Sequence, residues 1–180
     1  MFKIRFFLLL PIFFTAINLK AQNHPTLAVG TEFGLPSGNF VSLSGIGLGA
    51  SIKVDFPVSN EFAITINGGI MNFFGKRNPL INVRDLTYIP VKAGLKYQLG
   101  EHFYAEGQLG AGFPTNSGQK TVFVWSPGIG NQFNLSGKNK LDLGIRYEAW
   151  AGKNETRIIG INSTNTKGFV GIRFAYVFGL

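Results

Sequence analysis

The chain has no cysteine among its 180 residues. No disulfide can staple the fold, and no thiol can act as a nucleophile, a soft metal ligand or a point of lipid attachment. Histidine is nearly as scarce, with only His24 and His102. A histidine-built transition-metal site is therefore not expected, and neither is a cofactor. Charged residues make up just 14%. After residue 21 no stretch holds 18 consecutive uncharged apolar residues, so that part of the chain offers no transmembrane helix. An exported chain without disulfides needs another source of stability, either a large core or a membrane.

What is abundant is glycine (24), phenylalanine (18) and apolar residues in general (45%). The N-terminal "MFKIRFFLLLPIFFTAINLKAQ" places Lys3 and Arg5 ahead of an apolar run from Phe6 to Ile17, then Ala21. That is the layout of a cleavable signal peptide, and the run is too short to span a bilayer, which takes about 20 residues. The expected division is residues 1–21 as signal peptide and residues 22–180 as a single domain. Leu19 is larger than the residue usual at its place in a cleavage site.

In the remainder, segments of about ten alternating residues recur between turns rich in Gly, Asn and Ser. Eight strands are expected, at 26–35, 43–56, 61–73, 87–99, 102–113, 122–133, 140–150 and 167–180, with no sustained helical period. Alternation sorts each strand into two faces. Leu27, Val29, Thr31, Phe33 and Leu35 oppose Ala28, Gly30, Glu32 and Gly34; Leu141, Leu143, Ile145 and Tyr147 oppose Asp142, Gly144, Arg146 and Glu148. Pro90 and Pro127 fall inside strands, where each removes a ladder donor; a bulge or late strand start is the expected accommodation.

The connections alternate in length. Those at 57–60, 100–101 and 134–139 are short; those at 74–86, 114–121 and 151–166 are longer. Short turns at one end and long loops at the other is the layout of an outer-membrane barrel. The polar faces hold Glu32, Asp55, Glu106, Asp142 and Glu148 against Lys53, Lys92, Lys96, Arg146 and Arg173. Five acids meet five bases, the balance that a narrow, water-poor lumen requires, since a buried unpaired ion costs several kcal/mol. The other face carries no charge through its centre, where Arg or Lys would cost about 2–4 kcal/mol in lipid. The polar face is thus expected inside and the apolar face against lipid. Tyr88, Trp125, Tyr147, Trp150, Tyr176 and Phe178 lie near strand ends, as interfacial girdles would. A lipocalin-like barrel, the alternative, would put these ten charges into water.

The final strand, "KGFVGIRFAYVFGL", sets Phe174, Tyr176, Phe178 and Leu180 at alternate positions. With "KAGLKYQL", "SPGIGNQF" and "KLDLGIRYEAWAG", the chain resembles the small outer-membrane β-barrel family of Gram-negative bacteria, similar to the OmpA and OmpX barrels. The resemblance implies an eight-stranded antiparallel up-and-down transmembrane barrel, integral to the outer membrane. It also implies that Phe174, Tyr176, Phe178 and Leu180 form a C-terminal signal read by the barrel assembly machinery. Leu180 departs from the commoner phenylalanine.

The expected long loops are basic: Lys76, Arg77, Arg84, Lys120, Lys153, Arg157 and Lys167 face only Asp85 and Glu155. Attraction to anionic lipopolysaccharide follows as an expectation, and an ordinary solvated loop explains the charge equally well. "RIIGI" at 157–161 either extends a strand or offers a partner site. An outer-leaflet lipid-modifying enzyme would need a Ser–His–acid set at the long-loop end. His24 precedes the first strand and His102 sits in a short turn, so no enzyme is expected. Nucleic acid is not an expected partner. The expected role is envelope-structural or surface-interactive, around a salt-bridged interior. The alternatives are a narrow pore or small-solute transporter and, behind these, a lipid A-modifying enzyme.

Overall fold

The computed structural model describes residues 24–78, 81–82, 84–116, 118–135, 137–153 and 164–179. The signal segment 1–21, Arg157, the rest of 157–161 and Leu180 lie outside the described residues, as do the side chains of Arg77 and Lys153.

Eight strands form one closed antiparallel barrel. They are β1 (Thr26–Ser37), β2 (Ser44–Pro57), β3 (Phe62–Gly75), β4 (Leu86–Gln98), β5 (Phe103–Pro114), β6 (Val122–Asn134), β7 (Lys140–Lys153) and β8 (Thr164–Gly179). Each strand pairs with its neighbours in sequence, and β1 pairs with β8 to close the ring, Glu32 lying opposite Arg173. Closure leaves no free sheet edge, so every strand has a hydrogen-bonding neighbour on both sides, as lipid demands.

The turns follow local chemistry. Between β2 and β3, Ser59 Oγ accepts from the backbone N–H of Phe62 at 3.0 Å, a hydroxyl-capped turn. The β6–β7 turn contains Gly137 at φ 68°, a left-handed conformation that side chains with a Cβ resist. At the opposite end, Gly38–Ser42 form a short 3-10 helix after β1, and Arg77–Asn78 pair with Ile81–Asn82 inside the β3–β4 connection.

Both ends of the last loop are more ordered than the alternation suggested. β7 runs on to Lys153 and β8 begins at Thr164, Lys167 standing opposite Trp150. Lys153 and Lys167 are therefore strand residues rather than loop residues. Neither proline causes a bulge. Near Pro90 the β3–β4 ladder lapses between Gly68↔Val91 and Met71↔Tyr88, then resumes in the same register. Near Pro127 the β6–β7 ladder does the same between Trp125↔Ala149 and Gly128↔Arg146. A missing N–H removes a bond without removing a residue, so the strand can continue in phase.

The outer face is an apolar belt. Val29, Ile52, Ile66, Val91, Leu109, Ile129, Ile145 and Phe174 all stand exposed. Soluble monomers rarely expose contiguous apolar patches beyond a few hundred Å². Exposed aromatic pairs sit near its rims: Trp125 with Tyr147 toward the long loops (centroids 5.6 Å), Phe62 with Tyr97 (4.8 Å) and Tyr176 with Phe178 (4.7 Å) toward the short turns.

Candidate functional site

The barrel's interior holds the chain's most concentrated chemistry. Alternation turns one residue in two inward, and all ten charges singled out from the sequence project into the lumen. They form two clusters joined by one arginine.

The cluster nearer the short turns is built on Lys53 and Asp142. Lys53 Nζ donates to Glu106 Oε2 at 2.9 Å, with Asp142 Oδ2 at 3.6 Å and Asp55 Oδ1 at 3.9 Å. Lys96 Nζ donates to Asp55 Oδ2 at 3.0 Å. The Tyr104 hydroxyl donates to Asp142 Oδ1 at 2.7 Å. Both lysines lie over the Tyr104 ring, Lys96 at 4.5 Å and Lys53 at 5.2 Å from its centroid, within cation–π range. The Gln108 side-chain amide donates to Glu106 Oε1.

The cluster above it is built on Glu148 and Glu32. Lys92 Nζ and Arg146 Nε both donate to Glu148 Oε2, at 2.6 and 2.9 Å. Arg146 Nη1 donates to Glu32 Oε2, and Ser51 Oγ donates to Glu32 Oε1 at 2.6 Å. Arg173 joins the two. Its Nη1 donates to Asp142 at 3.1 Å and its Nε lies 3.5 Å from Glu32. Glycines make room: a Cβ on Gly130 would lie 2.3 Å from the Tyr104 ring, and one on Gly171 would lie 3.1 Å from the Arg146 guanidinium.

The interior is not polar throughout, which corrects the sequence reading. Toward the long loops it becomes an apolar stopper of Phe40, Met71, Phe73, Tyr88, Val122, Val124, Trp150 and Phe169. Phe73 contacts Trp150, Phe169 and Phe40 with centroids 5.5, 4.8 and 4.8 Å apart. Tyr88 and Trp150 were expected in the interfacial girdle. Trp150 is instead 0% exposed, against 39% for Trp125. Parity explains it, because Trp150 shares its face with Arg146 and Glu148 and so points inward. Its indole N–H donates to Glu148 Oε1 at 2.8 Å, tying stopper to network. Phe40 reaches the stopper from the 3-10 helix, outside any alternating stretch; no period in the sequence marks it.

The short-turn end stays open. A cavity of about 510 Å³ there is lined by His24, Glu61, Lys96, Gln98, Gln132 and Lys140 among others, and the Lys96–Asp55 pair forms its floor. Of the basic residues expected in the long loops, Lys76, Arg84 and Lys120 are exposed and Lys167 is half-buried. Phe174, Tyr176 and Phe178 face outward. Among the described residues, no group of three or more acidic, His or Cys side chains could hold a metal ion.

No protein-family model and no curated protein matches the chain. Solved structures do. The attachment invasion locus protein Ail of Yersinia pestis is 19% identical, with a TM-score of 0.55 over 87% of this chain and 99% of that one. Neisserial surface protein A is 12% identical, with a TM-score of 0.58 over 87% and 97%. The outer membrane protein OprG of Pseudomonas aeruginosa is 11% identical, with a TM-score of 0.53 over 88% and 97%. The fold is that of a small outer-membrane β-barrel. As one, this barrel is integral to the membrane by construction, its apolar belt against lipid and its charges turned inward.

Proposed function

We propose that this barrel is a closed, non-catalytic envelope protein, which serves the outer membrane through its shape and its exposed ends rather than by transport. One observation carries the reading. Beyond the open mouth the lumen is occupied, by paired charges through its middle levels and by the aromatic stopper at the long-loop end. A solute would have to break buried ion pairs and then displace Phe73, Trp150 and Phe169. An eight-stranded barrel is only just wide enough for its own side chains, so neither can step aside.

The partners on this reading are membrane lipid and lipopolysaccharide around the belt, with the barrel assembly machinery reading Phe174, Tyr176 and Phe178 during insertion. The exposed bases Lys76, Arg84 and Lys120 favour an anionic partner at the rim. A surface protein partner is compatible with the same rim.

Planar-bilayer recording of the purified barrel tests the central claim. The expected record is flat. Stable, repeated conductance steps would overturn it in favour of a narrow pore. A lipid A mass spectrum that changes on deletion of the gene would instead favour a lipid-modifying enzyme.

A further inference from the structure

A second, smaller chamber lies between the open mouth and the stopper. It measures about 30 Å³, and its walls include Lys53, Tyr104, Gln108, Ser126, Arg146 and Arg173. Ser126 Oγ and Arg173 Nη2 are buried without a hydrogen-bond partner among the described residues. Ser126 is 2% and Arg173 5% exposed. The other guanidinium nitrogens of Arg173 are engaged, Nη1 by Asp142 and Nε by Ser51 and Glu32. Nη2 is left with protons and no acceptor, in a chamber also lined by a hydroxyl that has neither donor nor acceptor. Buried polar groups in native proteins are rarely left so.

We propose that this chamber is a hydration site, holding ordered water bound between the Arg173 guanidinium and the Ser126 hydroxyl. The size fits: a water needs about 10–15 Å³ of such space and two to four polar partners. The chamber therefore has room for about two or three. Charge decides against a halide. The ten lumen charges already cancel, so a bound anion would be a buried charge without a counter-ion. Water accepts from Nη2 and both donates to and accepts from Ser126 at no cost in charge. The polar groups on its walls, Arg173 Nη2 and Ser126 Oγ among them, argue against a dry void, since cavities that stay empty are apolar.

The water exchanges with one side of the membrane only. Tyr104 lines the chamber, and its ring lies against the ammonium group of Lys96, which lines the open mouth together with Asp55. Toward the long loops the aromatic stopper intervenes. Solvent thus enters from the short-turn end, past Tyr104.

Water-to-protein magnetisation transfer on the mature barrel in lipid nanodiscs, with arginine side chains labelled, tests this directly. The expected result is transfer from water to the Arg173 guanidinium, weakened in Ser126→Ala, which removes one partner, and lost in Ser126→Val, whose methyl groups fill the chamber. Ser126→Val should also lower the thermal midpoint of the folded barrel by about 3 °C. No transfer in the unsubstituted barrel, together with a raised midpoint in Ser126→Val, would mean a dry void and overturn the proposal. An Arg173 signal that moves when chloride replaces nitrate at constant ionic strength would mean a halide site and overturn it equally. Tyr104→Ala, which removes the ring, should speed the exchange at least several-fold; an unchanged rate would remove the route through the short-turn end.

Discussion

Arg173 is the residue on which most of the interior depends. It faces Glu32 across the β1–β8 seam and reaches Asp142 as well, so its loss takes a cation from two buried carboxylates at once and leaves the lumen one positive charge short, although Glu32 keeps Arg146 and Asp142 keeps Lys53. Removing one partner of a buried pair costs about 3–5 kcal/mol, because the remaining charge is left uncompensated. Arg173→Ala should lower the denaturant midpoint of the refolded barrel accordingly. Lys76→Ala, at the exposed rim, should stay within about 0.5 kcal/mol of the parent. Trp150 tests the other half of the interior. Trp150→Ala removes a fully buried ring and the donor to Glu148 Oε1. A loss of about 3–5 kcal/mol is expected for such a truncation in a packed core, and a change near zero would show that the stopper is loosely packed. The ten lumen charges could be read from the sequence one by one. Their partners could not, since Lys53–Glu106 and Lys92–Glu148 join positions 53 and 56 residues apart.

Strands were legible because a period of two over ten or more residues is a strong signal, and each expected segment falls on an observed strand. Their ends were less so. β7 and β8 continue past the alternating stretch because each strand holds the other in register beyond the membrane level. Close packing between strands also left little trace in the sequence. A Cβ on Gly110 would lie 2.0 Å from the carbonyl oxygen of Val91 on β4. Gly110→Val should therefore force β4 and β5 apart. In a gel assay that distinguishes folded from unfolded barrel by migration, the folded band should weaken or disappear. On the outer face of β7, Ile145→Arg should destabilise the barrel in lipid by about 2–4 kcal/mol, the cost of a cation near the bilayer midplane. An equal loss in detergent and in lipid would argue against that placement of the belt.

The molecule is a cup: open at the short-turn end, cross-braced by ion pairs in the middle and stoppered at the other end. Because the braces are buried, raising salt should do little to stability, as screening acts mainly on exposed charges. A strong fall of the unfolding midpoint between low and high salt would mean that the lumen is more hydrated than its packing implies. Opening the cup requires more than moving the 3-10 helix. Phe40→Ala should leave planar bilayers silent, since Phe73, Trp150 and Phe169 remain beneath it. Replacing those three by alanine together should raise leak events, and continued silence would place the effective barrier in the charged layers alone.

The sequence by itself determined the class of the molecule. Alternation, ten balanced charges on one face, an uncharged opposite face and loops of alternating length leave little besides a lipid-facing barrel, because each is a local property that every strand repeats. Only the tertiary structure decided how the interior is divided. Whether inward aromatics such as Trp150 and Tyr88 meet in one stopper depends on the height at which neighbouring strands bring Phe73, Phe169 and Val124 beside them. Which acid meets which base depends on the same stagger around the ring. Those heights are set by the closure of β1 on β8, a contact between the two ends of the chain that no stretch of sequence contains.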